Sequence, residues 1–117
     1  MSNVRTYTKE ELFNLTLDVT HPSFSGWVVD PSIRTNRKDS VKIGLRKGSC
    51  LLTYRALYYK VPNSDKHEIH IFSIKKDFEN RKNSWSDVKI YKQCEDGKYF
   101  CYINGYPLSS YRSFYAS

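Results

Sequence analysis

No apolar run in this chain approaches the ~18 residues that a membrane span requires, so a transmembrane helix is excluded. The opening Met1-Ser2-Asn3-Val4-Arg5-Thr6-Tyr7 lacks the apolar core of a secretory signal, which makes a soluble, cytoplasmic protein the expectation. Cysteine is scarce and odd in number: Cys50, Cys94 and Cys101, with no C-x-x-C pair, argue against a disulfide framework and against a zinc site. The five glycines (Gly26, Gly44, Gly48, Gly97 and Gly105) form neither G-x-G-x-x-G nor G-K-[ST], which disfavours the classical nucleotide-cofactor folds. Alanine occurs only as Ala56 and Ala116, while Lys, Tyr, Ser, Asn and Ile abound. That bias is the mark of an AT-rich genome, as in low-GC bacteria, their phages and some eukaryotic viruses and parasites.

Catalytic groups are equally thin. His67 and His70 lie three apart in a segment with strand character, and an odd separation along a strand turns the two rings to opposite faces. With His21 beside a proline in a loop, the expectation is surface histidines and no shared metal. Cys94 and Cys101 flank a turn but are offset across it, so reduced, buried thiols are expected. Glu95 and Asp96 belong to that same turn, and no Cys–His or Ser–His–Asp spacing resembles a nucleophile motif. The reading is a non-enzymatic protein with no cofactor.

What the chain does have is β pattern. Its 117 residues suit a single domain, 1–117, with a helix at 8–15 and a β-rich body over 26–115. Thr8-Lys9-Glu10-Glu11 is a capping box, followed by the apolar Leu12, Phe13 and Leu15; His21-Pro22-Ser23 stops any continuation. Trp27-Val28-Val29 is a short strand. Val41, Ile43 and Leu45 alternate with Lys42, Gly44 and Arg46, the period of a half-buried strand. A long strand over Cys50 to Val61 turns at Pro62-Asn63-Ser64-Asp65 to pair with Glu68 to Lys75. Residues 76–86 are polar and suit a helical turn or a loop. Val88 to Tyr91 and Lys98 to Ile103 flank Asp96-Gly97, the signature of a type I′ two-residue loop, and Asn104-Gly105 offers a second turn. The aromatic run from Tyr106 to Tyr115 is either a last strand or an exposed contact segment. The expected fold is mainly β (α+β): an antiparallel meander curled into a roll or small barrel, with one short N-terminal helix.

Charge is the sharpest functional clue. Residues 34–60 hold Arg34, Arg37, Lys38, Lys42, Arg46, Lys47, Arg55 and Lys60 against Asp39 alone, which equals the net +7 of the whole chain. Lys42 and Arg46 share parity and project away from Val41, Ile43 and Leu45; Arg55 and Tyr59 share parity in the next strand. Arg34, Arg37, Lys38, Lys42, Arg46, Lys47, Arg55 and Tyr59 are therefore the candidate ligand-binding set. A cationic face with an aromatic platform suits nucleic acid, a nucleotide-like ligand or a nucleic-acid-handling protein, since polyanions bind it by counterion release and bases stack on rings. Small size and AT-rich bias also fit a phage- or virus-encoded inhibitor of a host defence protein, comparable to anti-CRISPR proteins, acting by occupancy. A third reading comes from Tyr7-Thr8-Lys9-Glu10-Glu11-Leu12-Phe13. This run resembles the Y-x-x-x-x-L-Φ segment by which translational regulators bind the mRNA-cap-binding initiation factor. The resemblance implies that Tyr7, Leu12 and Phe13 meet a protein groove.

Overall fold

Strand-forming residues dominate from Val28 onward, and they pair almost entirely with their sequence neighbours. The computed structural model describes residues 4–20, 24–85 and 88–107. In chain order the elements are β1 (Thr6–Tyr7), α1 (Lys9–Leu17), β2 (Val28–Asn36), β3 (Ser40–Lys47), β4 (Cys50–Lys60), β5 (His67–Asp77), β6 (Lys82–Trp85), β7 (Val88–Gln93) and β8 (Tyr99–Tyr106). They build one antiparallel sheet in the order β1-β8-β7-β5-β4-β3-β2. The edge of β5 that faces away from β4 is shared: β7 takes Glu68 to Ile71 and β6 takes Ile74 to Asp77. The sheet curls into a roll but does not close, so the small-barrel alternative is set aside.

The helix forms where the capping box places it. The Thr8 Oγ1 accepts from the Glu11 N–H at 3.1 Å, and the Glu11 carboxylate accepts from the Thr8 N–H at 3.0 Å. It runs two residues further than expected, to Leu17. Its inner face buries Leu12 and Phe13 against Val41, Ala56, Ile69, Tyr91 and Tyr99. Each of the two helix residues contributes about 1.5–3 kcal/mol by leaving water. Thr16, also buried, satisfies its hydroxyl by donating to the Leu12 carbonyl at 2.9 Å. On the opposite face of the sheet Phe72, Val88 and Ile90 form a second cluster with Leu57, Ile74, Ile103 and Tyr106. Strand alternation divides the two: Ile69 and Ile71 serve the first cluster, Phe72 and Ile74 the second.

Several turns differ from expectation. At Asp96-Gly97 only the glycine takes a positive φ, of 88°. The Gly97 N–H donates to the Cys94 carbonyl and the Cys94 N–H to the Lys98 carbonyl, which makes a three-residue loop ending in a left-handed glycine. Gln93, not Cys94, therefore faces Tyr99. Asn104-Gly105 is no turn. It lies inside β8, where Gly105 (φ 121°) and Tyr102 are extra residues in the ladder that kink the strand and help the sheet curl. Residues 76–86 hold no helical turn among those described. β5 continues to Asp77, whose carboxylate accepts from the Glu79 and Asn80 N–H groups, and the chain reverses into β6. The expected helix stop at residues 21–23 and the aromatic run beyond residue 107 lie outside the described residues.

β2 is longer than Trp27-Val28-Val29 because it survives Pro31. Val28–Asp30 pairs with Arg46–Gly44 and Arg34–Asn36 with Ile43–Val41, while Pro31, Ser32 and Ile33 stay out of the ladder. Asp30 ties down this bulge by accepting from the Ser32 N–H at 3.0 Å and the Ser32 hydroxyl at 2.6 Å. Ile33 folds over Gly44, where a Cβ would lie 2.7 Å from the Ile33 Cβ. Gly44→Ala is expected to destabilise the protein by about 1–3 kcal/mol in urea unfolding. Ile33→Gly in the same chain, which removes that Cβ, should recover part of that loss, and equal stability of Gly44→Ala and the parent would refute the contact.

Candidate anion-binding face

Three adjacent strands decide where the basic residues go. In the β3–β4 register Lys42 stands directly opposite Arg55, and in the β2–β3 register Thr35 stands opposite Lys42. Residues paired in this way point to one face, here the face away from α1, as the alternation of Val41, Ile43 and Leu45 requires. The β2–β3 connection brings in two more groups. The Arg37 N–H donates to the Ser40 carbonyl at 2.8 Å, closing a tight turn over Lys38 and Asp39. Thr35, Arg37, Ser40, Val41, Lys42 and Arg55 together line a cleft of about 300 Å³.

The cleft is cationic, and no carboxylate of the described residues pairs with its cations. Among the described residues the acid–base contacts are Arg46–Asp30, Lys66–Glu95 and His70–Glu68, and none involves Arg37, Lys42 or Arg55. The Arg55 Nε is buried and finds no hydrogen-bond acceptor among the described residues. Like charges placed opposite one another across a ladder destabilise it. A buried donor without an acceptor costs more. The groups gathered here are donors and cations, suited to hold an anion through charge-assisted hydrogen bonds.

The remaining members of the basic stretch go elsewhere. Arg46 shares the face, but its Nε donates to the Asp30 carboxylate at 2.6 Å. Hydrogen bonds from Ser32 and from Arg46 hold the Asp30 carboxyl down at about 2. Arg34 lies opposite Ile43 and so projects toward the α1 side, within β2 and not in a loop. Lys47 is also on the α1 side, its Nζ 6.0 Å from the Trp27 ring centroid. Lys38 is exposed at the turn beside Arg37. Tyr59 is on the same face as Arg55, but it is half-buried with its ring 4.7 Å from that of His70, so it is not an open platform. Thr35 and Ser40 are cleft residues that the sequence reading missed. The hairpin register through Asn36 was the signal that would have found them.

His67 and His70 do face opposite sides; His67 is half-buried, whereas His70 corrects the expectation of a surface residue, and His21 lies outside the described residues. His67 stacks on Tyr58 at 4.5 Å, and Tyr58 accepts a 3.3 Å hydrogen bond from the Tyr99 hydroxyl. His70 is fully buried, its Nε2 3.1 Å from the Glu68 carboxylate. The cysteines are unpaired, yet Cys101 is exposed and the other two are half-buried, so the expectation of buried thiols is corrected. No group of three or more His, Cys, Asp or Glu side chains able to hold a metal occurs among the described residues. Leu12 is 1% exposed and Phe13 8%, while Tyr7 packs edge-on against Tyr91. The side chains that would meet a cap-binding factor thus belong to this protein's own core. No helix among the described residues is long and apolar enough to cross a membrane. Compared with family models, curated proteins and solved structures, the chain gives no match.

Replacing Lys42 by glutamine should raise stability in low salt by about 0.2–1 kcal/mol, by removing half of a like-charge pair. The gain should shrink as salt is added, as salt-series unfolding will read. Burial lowers the pKa of His70 below its ordinary 6.5, against the opposing pull of Glu68. The unfolded chain then binds the proton more readily than the native one. Stability is accordingly held above pH 6.5 and lost as pH falls from there toward the depressed native value. Urea unfolding between neutral and mildly acidic pH checks this, and a His70→Gln variant should lack that part of the slope.

Proposed function

We propose that this protein is a non-enzymatic nucleic-acid-binding protein whose contact surface is the cationic face built by Arg37, Lys42 and Arg55. The observation that carries the reading is the Lys42–Arg55 pair, directly opposed and without a carboxylate partner among the described residues, sharing one cleft with Arg37. Lys38 extends the charge at the turn. Phosphates entering this face would displace condensed counterions and relieve the repulsion between the two strands' cations at the same time. Because Tyr59 is packed against His70, affinity is expected to come from phosphate contacts more than from base stacking, with little sequence preference. Cytoplasmic location is part of the proposal. The unpaired state of Cys50, Cys94 and Cys101 suits a reducing compartment.

Fluorescence anisotropy with a labelled oligonucleotide tests it. If Arg37, Lys42 and Arg55 each meet one phosphate, affinity should drop roughly 20- to 40-fold between ~50 and ~200 mM salt, the smaller figure for a single strand. Arg37→Glu combined with Lys42→Glu should abolish binding. Arg34→Glu with Lys47→Glu makes the same change in net charge on the other face and should retain most of it. Equal losses in the two pairs, or no binding at the lowest salt, would overturn the proposal. Occupancy of a protein partner, the inhibitor reading, would instead give binding that resists salt.

A further inference from the structure

The cleft holds more positive charge than an internal phosphate of a nucleic acid can use. A phosphodiester carries one negative charge, and its two ester oxygens tie it to a chain that must leave the site in two directions. A phosphate monoester carries nearly two charges at neutral pH and presents three acceptor oxygens. Here Arg37, Lys42 and Arg55 line one cavity of about 300 Å³ together with the hydroxyl-bearing Thr35 and Ser40. Both ends of the Arg37–Ser40 turn belong to the lining, so the turn's own hydrogen bond sets Arg37 and Ser40 beside the strand pair that carries Lys42 and Arg55. The Arg55 Nε is buried with no hydrogen-bond partner among the described residues, so no acceptor of the protein offsets the guanidinium charge there. The volume lies at the lower end of the range for small-ligand sites, enough for one phosphate and the sugar that bears it.

We infer that this cleft takes a phosphate monoester, such as the terminal phosphate of a nucleotide or of a 5′-phosphorylated strand, with Arg37, Lys42 and Arg55 as its cationic ligands and Thr35 and Ser40 as hydroxyl donors. The inference rests on the polyanion reading of the same face and narrows it from any phosphate to a chain end. A 5′-phosphate that docks here leaves the rest of the strand outside the cleft. Recognition then comes from the charge and oxygen count of the end, so sequence is irrelevant to it.

The test uses the full chain and two pairs of probes. In anisotropy, a 5′-phosphorylated oligonucleotide is compared with the 5′-hydroxyl oligonucleotide of the same sequence. The phosphorylated strand should bind at least about tenfold more tightly, the gain that one added charge-assisted hydrogen bond supplies. In thermal melting, adenosine 5′-monophosphate should raise the Tm where adenosine does not. Lys42→Gln, which keeps the fold by the melting criterion, should erase both differences. Equal binding of the two oligonucleotides together with no shift by the monophosphate would overturn the inference, and salt-dependent binding of both would leave the polyanion reading standing. A shift by the monophosphate with no binding of either oligonucleotide, even at low salt, would uphold the cleft as a mononucleotide site and overturn the polyanion reading instead.

Discussion

The continuous ladder between β4 and β5 is the constraint from which the rest of the molecule follows. It runs from Cys50 opposite Asp77 to Lys60 opposite His67 without a shift, and every later pairing is referred to it. Because side chains alternate along a strand, this one register sends Ala56, Tyr58, Ile69 and Ile71 toward α1 and sends Arg55, Leu57, His70 and Phe72 to the opposite face. A slip of one residue between β3 and β4 would expose Val41 and separate Lys42 from Arg55. The apolar core under the helix and the cationic cleft behind it are two outcomes of a single alignment.

That coupling explains how the protein holds an unfavourable pair together. Val41 and Ala56 are completely buried and paired with each other, and Lys42 and Arg55 are the next rung. Burial of the first rung and its neighbours outweighs a repulsion of about 1 kcal/mol or less at the second. The same strands handle other charges differently. Arg46 is matched by Asp30, and Lys66 by Glu95. Neutralised cations at the periphery and an unmatched group in the cleft are what a localised anion site requires.

Much of the fold was legible in the residues. The Thr8–Glu11 capping box, the alternation over Val41 to Arg46 and the β4–β5 hairpin each carry a local signal strong enough to be read without a partner. The parity of Lys42 with Arg46, and of Arg55 with Tyr59, was equally plain. Other features depend on distant contacts. Asp30-Pro31 reads as a strand end, yet the strand resumes after a bulge, and the inserted residues carry Arg34 over to the α1 side. β6 has no apolar alternation, and the turn before it uses Arg81 at φ 53°, a conformation that its residue type does not advertise. The apolar face of α1 was visible, but whether it meets a partner or the sheet depends on which strands lie beneath it. Lys47 and Arg34 drop out of the candidate site for the same reason that Thr35 and Ser40 enter it: facing depends on register, and register on the hairpin as a whole.

The bulge at Pro31–Ile33 has an effect beyond the site. β2 ends the sheet, and its outer side has no partner strand among the described residues. A long flat strand in that position, in a chain rich in tyrosine and isoleucine, would template the addition of further chains. Pro31 has no N–H to offer, and the three-residue detour breaks the remaining donors and acceptors into two short, misaligned rows. An incoming strand finds no continuous edge to zip along, so the molecule is guarded against fibril growth at its most vulnerable border.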